Sequence, residues 1–149
     1  MVSTFTFPVR VYYEDTDCGG VVYHSNYLSF MSRARSEWFL SKGIVLKDWN
    51  EKGIGFAVHS AELKFISPAR LHDSLHVVSR IEKNSHASLL VGHVIQSAKD
   101  SKIIFCKGLV KLACVNHDFK PCQIPQEIID KIDCKCKPRD DGLFFVADH

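Results

Sequence analysis

The amino-acid sequence predicts an α+β domain in which a long helix packs on a curved antiparallel sheet. Three observations carry that expectation. Residues 25–41 repeat bulky apolar side chains at three- and four-residue spacing, the period of a helix with one wide buried face. Beyond residue 55 the period falls to two and stays there through four strand-like segments. Helices come early and strands then run consecutively through short polar turns, which favours antiparallel pairing over alternating βαβ units.

Each element follows from local chemistry. Phe5, Phe7, Val9, Val11 and Tyr13 share one parity, so residues 5–13 read as a half-buried strand. The acidic turn Glu14-Asp15-Thr16-Asp17 and the pair Gly19-Gly20 then lead to the long helix. Ser25 or Asn26 caps that helix and Gly43 stops it. Tyr27, Phe30, Met31, Ala34 and Trp38 form its inner face, and Ser32, Arg33, Ser36 and Glu37 cover the rest. Residues 45–52 form a shorter helix, with Leu46 and Trp49 inward and Gly53 and Gly55 closing it. Strands are expected over 56–66, 74–82, 87–97 and 102–115. Pro68 ends the first; Lys83-Asn84-Ser85-His86 and Lys99-Asp100-Ser101 supply turns. In the last strand Ile104, Cys106, Val110, Leu112 and Cys114 lie opposite Lys107 and Lys111, a dry face and a wet one. Residues 126–133 form a short helix. Such long strands leave edges that need cover, and dimerisation supplies it.

Composition narrows the function. At 149 residues the chain suits one domain. Its net charge of +2, from 19 basic and 17 acidic residues, gives no reason to expect a nucleic-acid or membrane partner. A small anionic ligand would need only a local basic patch. The opening Met1-Val2-Ser3-Thr4-Phe5-Thr6-Phe7-Pro8 is too polar for a signal peptide, and no run reaches the ~20 apolar residues of a membrane span. A cytoplasmic location is expected, with the six cysteines reduced. Cys106 and Cys114 sit in a strand pattern as buried thiols, and Cys134-Lys135-Cys136 lacks the spacing of a zinc knuckle. No metal is expected, and His72 and His76 read as solvated side chains.

The stretch from Arg10 to Tyr27 carries the chemistry. A strand, an acidic turn and a Gly-Gly pair set carboxylates beside the positive end of a helix. A carboxylate there can activate water or attack an acyl carbon while free backbone N–H groups hold the oxyanion. Taken alone, Asp17 would read as a turn residue or a partner of the helix dipole, and His24 as a polar residue preceding a helix. Asp15 reads as a structural acid that hydrogen-bonds the loop. Cys18 adjoins Asp17, but no base is assigned to it.

Tyr12-Tyr13-Glu14-Asp15-Thr16-Asp17, Gly20-Val21-Val22-Tyr23-His24, Asn26-Tyr27 and Arg33-Ala34-Arg35-Ser36-Glu37 resemble the hotdog-fold thioesterases of the 4-hydroxybenzoyl-CoA thioesterase type. The likeness is strongest to the YbgC-type acyl-CoA thioesterases that accompany the Tol–Pal system. Phe65-Ile66-Ser67-Pro68-Ala69-Arg70, Ile81-Glu82-Lys83 and Ile124-Pro125 extend it. It spans residues 8–133, so that 1–133 form the domain and 134–149 a tail without assigned role. The resemblance implies the hotdog fold, thioester hydrolysis without metal or organic cofactor, and sites shared between subunits of a homodimer or homotetramer. It places the catalytic carboxylate on Asp17, as general base or nucleophile, and the oxyanion donor at the backbone of His24, whose imidazole also takes part or merely orients substrate. Tyr13 contacts substrate or packs in its strand. Arg70, Lys83 and Asn84 are the expected contacts for the phosphates and pantetheine of acyl-CoA; an acyl carrier protein is the other carrier the fold admits. A non-catalytic acyl-binding or scaffold module and a hotdog dehydratase are the competing readings.

Overall fold

The computed structural model describes residues 3–132. The tail 134–149, with Cys134 and Cys136, lies outside the described residues. Along the chain run β1 (Phe5–Arg10), a 3-10 turn (Tyr13–Asp15), α1 (Asn26–Ser41), α2 (Leu46–Glu51), β2 (Gly55–Phe65), β3 (Ser74–Asn84), β4 (Ser88–Ser97), β5 (Ile104–Val115) and α3 (Gln126–Lys131). The five strands form one sheet in the order β1-β3-β4-β5-β2, every pair antiparallel. The architecture is the expected α+β. The sequence reading left the strand order open, and β2 lies at the far edge, paired with β5 and not with β3.

The inner sheet face packs on α1. Phe30, Met31 and Ala34 are fully buried, as are Leu75, Val77, Leu89, Val91, Ile95, Cys106, Val110 and Cys114. The helix touches the sheet across its whole width. Trp38 stacks on Phe5 of β1 at 6.1 Å, Tyr27 meets Phe65 of β2 at 5.8 Å, and Phe39 meets Phe56 at 6.1 Å. A side chain at Gly108 of β5 would stand 2.6 Å from the Met31 sulfur, so glycine there lets α1 approach the sheet. Gly43 stops α1 as expected: it has φ +78, and the Ile44 N–H returns to the Phe39 carbonyl at 2.9 Å.

Two of the boundaries that differ from the sequence reading move candidate residues, for local reasons. The first strand ends at Arg10, not Tyr13. Val11 stays buried, but its N–H turns to the Asp73 carbonyl at 2.9 Å, and the Asp15 carboxylate draws in the Tyr12 N–H at 2.9 Å to close the 3-10 turn. At the other end, Lys83 and Asn84 belong to β3 and not to a turn. A register shift between Ile81 and Lys83 prolongs the ladder to Asn84, opposite Leu89. The turn is instead closed by Ser85, whose N–H reaches the Ser88 carbonyl at 2.8 Å.

Candidate active site

The loop between the 3-10 turn and α1 is built around two carboxylates with opposite tasks. Asp15 is buried, and both of its oxygens are used. Oδ2 accepts the Tyr12 N–H at 2.9 Å, and Oδ1 accepts the Asn26 side-chain amide at 3.0 Å, fastening the turn to the first residue of α1. Asp17 is exposed and holds only its own loop, with Oδ1 accepting the Gly19 N–H at 2.8 Å. Its backbone N–H meets the Val21 carbonyl at 3.0 Å, and its carbonyl accepts the Gly20 N–H at 3.0 Å. That tight reversal requires φ +80 at Gly20, a conformation a Cβ disfavours. The loop is then stitched to the segment before β3: Val22 N–H reaches the Ala69 carbonyl at 2.9 Å, and Val21 bridges Arg70.

The start of α1 lacks its expected cap. Ser25 occupies the cap position but has already entered helical geometry, with φ −76 and ψ −15, and its hydroxyl makes no capping bond. Asn26, the other candidate, spends its amide on Asp15. Among the described residues the N–H groups of His24 and Ser25 have no intramolecular acceptor. Unpaired donors at the positive end of a sixteen-residue helix form a seat for developing negative charge.

Asp17 and His24 line one cavity of about 380 Å³. Its walls are Val21, Val22, Tyr27, Phe65 and Pro68, a mostly apolar lining into which a carboxylate and an imidazole project. The His24 ring leans on Tyr23 at 4.5 Å and meets Phe65 edge-on at 6.4 Å. Burial raises the Tyr27 hydroxyl above its usual range, while its oxygen accepts the Ala69 N–H at 3.3 Å. Tyr27 therefore presents ring surface to the cavity and keeps its phenol neutral.

The other expected contacts are not gathered here. Tyr13 is 83% exposed in the 3-10 turn and does not line the cavity. Arg70 lies one bridge away from Val21, at the same end of the sheet as Asp17. Lys83 and Asn84 stand at the opposite end of β3, ten residues from Ser74 and so roughly 33 Å along the strand. Only a second protomer could bring them to this cavity. The walls Tyr27, Phe65 and Pro68 lie within the stretches that carry the family resemblance, but nothing in the sequence assigned them to the cavity. Cys18 is exposed, whereas burial pushes the Cys106 thiol up to about 12. Among the described residues no group of three or more His, Cys, Asp or Glu side chains could hold a metal ion, and no helix is long and apolar enough to cross a membrane.

Comparison with known proteins matches the chain to one family. A family model described as the thioesterase-like superfamily matches residues 11–132. The acyl-CoA thioesterase YbgC of Helicobacter pylori is 45% identical over 124 residues, covering 78% of this chain and 91% of the relative. The acyl-CoA thioesterase YbgC of Haemophilus influenzae is 36% identical over 126 residues, covering 83% and 90%. Among solved structures, a 1,4-dihydroxy-2-naphthoyl-CoA thioesterase from Synechocystis superposes with a TM-score of 0.82 at 25% identity, covering 87% of this chain and 96% of that one.

Proposed function

Because the chain belongs to the thioesterase-like superfamily, we propose that it hydrolyses acyl-CoA thioesters to the free acid and CoA, with Asp17 as the catalytic carboxylate. The observation that carries this reading is the meeting of Asp17 and the uncapped start of α1 on one apolar cavity. A thioester carbonyl seated there has its oxygen toward the His24 N–H and its carbon toward Asp17. Water attacks the carbon as Asp17 takes its proton, and the oxyanion is held by the helix start. The carbon–sulfur bond then breaks to release a thiolate. With a thiol pKa near ~8.5, that leaving group needs little acid assistance. The imidazole of His24, held between Tyr23 and Phe65, orients the substrate across the cavity mouth.

The alternative role for Asp17 is direct attack, giving an anhydride that water then opens. A single turnover in oxygen-labelled water tests direct attack: label entering Asp17 requires the anhydride, opened by water at the aspartyl carbon. Tests of the whole reading use the wild type and Asp17→Asn on short-chain, aromatic and long-chain acyl-CoA. We expect free CoA from the wild type and a fall of about 10²–10⁴ in kcat for the variant. Equal rates would remove Asp17 from the chemistry, and hydration of an enoyl chain without thiol release would make the protein a dehydratase.

The working unit in this reading is a homodimer. β2 is a sheet edge of eleven residues, and Val58, Phe65 and Ile66 on or beside it are half exposed. An edge of that length invites pairing with a second copy of itself. Antiparallel pairing would also bring a partner's chain against the mouth at Phe65.

A further inference from the structure

A smaller cavity, of about 150 Å³, opens between α1 and the β2 edge and shares no residue with the one at Asp17. Arg35, eight residues beyond Tyr27 on α1 and so roughly 12 Å along the helix, lines it together with Ser32 and Ser36. Phe39, Phe56 and Leu112 supply an apolar wall. The Arg35 side chain is buried, and its guanidinium stays charged near neutrality. Among the described residues its one hydrogen-bond partner is Nε2 of His93, at 3.1 Å, and no carboxylate pairs with it. A guanidinium only donates, so Nε2 accepts and the ring proton of His93 sits on Nδ1, directed at the Ser79 hydroxyl 2.7 Å away. That imidazole is neutral and leaves the charge of Arg35 uncompensated. Among the described residues no buried polar side-chain atom lacks a partner, so the remaining N–H donors of Arg35 reach the open space that it lines.

We propose that this cavity is a second ligand site, for a short aliphatic carboxylate whose oxygens pair with Arg35 while its tail lies against Phe39, Phe56 and Leu112. The donors and the wall select that class together. A buried charge without a counter-charge is costly, and an anion that enters supplies one. The Nε and Nη2 edge of Arg35 makes no bond within the described chain, and such an edge matches a carboxylate in two parallel bonds. The exposed hydroxyls of Ser32 and Ser36 stand at the rim as further donors. Inorganic phosphate or sulfate would bring no apolar surface to the wall. The volume is that of about five waters at roughly 30 Å³ each, which suits an acid of about four carbons and not a long acyl chain. The site does not depend on the chemistry proposed at Asp17, although the acids that such a reaction releases belong to the class it takes.

The probe is sodium butyrate, with 1-butanol as its uncharged match and sodium chloride to hold the ionic strength. Titration of the wild type is followed by NMR on the arginine Nε–H signals, that of Arg35 being the one lost in Arg35→Gln. Ser32→Glu, at an exposed position three residues before Arg35, tethers a carboxylate within reach of the guanidinium and identifies the signal if Arg35→Gln fails to fold. We expect the Arg35 signal to move saturably with butyrate and 1-butanol to bind at least tenfold more weakly. Ser32→Glu should weaken butyrate at least tenfold with an unchanged circular dichroism spectrum. Equal binding of butyrate and 1-butanol, or full butyrate affinity in Ser32→Glu, would overturn the assignment. So would shifts confined to the backbone amides of His24 and Ser25, which would put the acid in the first cavity. An Arg35 signal that ignores butyrate but moves when the protein is diluted to monomer would give the guanidinium to a second copy of the chain, and the proposal would fall.

Discussion

Two carboxylates separated by one residue show how position decides role. Asp15 faces inward and satisfies a backbone N–H and the amide of Asn26, whereas Asp17 faces the cavity with one oxygen engaged by its own loop. Replacing Asp15 by alanine strands two donors, and hydrogen bonds to a charged acceptor are worth about 1.5–3 kcal/mol. We expect Asp15→Ala to lower stability by about 2 kcal/mol or more, read from the urea midpoint. Gly20→Ala isolates backbone conformation, because a Cβ there meets open space. Its cost should be about 1–2 kcal/mol from φ +80 alone. The sequence reading of Asp15 as an acid that hydrogen-bonds the loop agrees with its two bonds, whereas the role of Asp17 came from the family resemblance alone. The place of Tyr13 was not legible. Parity put it on the inner face of a strand, but the pull of Asp15 on Tyr12 ends that strand early, and no local pattern announces a carboxylate acting three residues back.

Among the elements, α1 is joined to the sheet by a polar contact as well as by apolar packing. Arg35, 9% exposed, places Nη1 3.1 Å from Nε2 of His93 on β4, and Nδ1 of His93 lies 2.7 Å from the Ser79 hydroxyl on β3. Burial lowers the Arg35 guanidinium to about 10, still fully charged near neutrality. Burial, and then the charge of Arg35, hold His93 well below 6.5. The imidazole therefore stays neutral in the fold while the unfolded chain takes up a proton as pH drops through about 6.5. The unfolded state binds more protons there, so stability falls with falling pH, with a slope approaching 1.4 kcal/mol per unit. Between pH 7 and 5.5 the wild type should lose about 1 kcal/mol more than His93→Gln, measured by urea unfolding at both values. The apolar face of α1 was readable from its spacing. Arg35 was not, because an arginine set among Met31, Trp38 and Phe39 announces no partner until a histidine from another strand meets it.

At the scale of the molecule, the sheet order places the candidate site. Crossing β2 to the far edge brings Phe65 against Tyr27 and His24 and leaves that edge without a partner strand. Nothing in a run of four strands marks which one crosses, since alternation reports burial and not neighbours. If two copies pair along β2, a charge in that edge should separate them. We expect Val58→Lys, at a position 55% exposed, to sediment as a monomer with an unchanged circular dichroism spectrum and markedly reduced turnover. A variant that remains dimeric would place the contact elsewhere. The bare beginning of α1 has a wider consequence. A side chain that closed it would contribute about 1 kcal/mol to the fold and, under the proposed mechanism, would occupy the place of the reacting oxygen. Selection for heat resistance alone would fill that gap, so if these backbone amides hold the oxyanion as proposed, thermal robustness and catalytic speed are set against each other there.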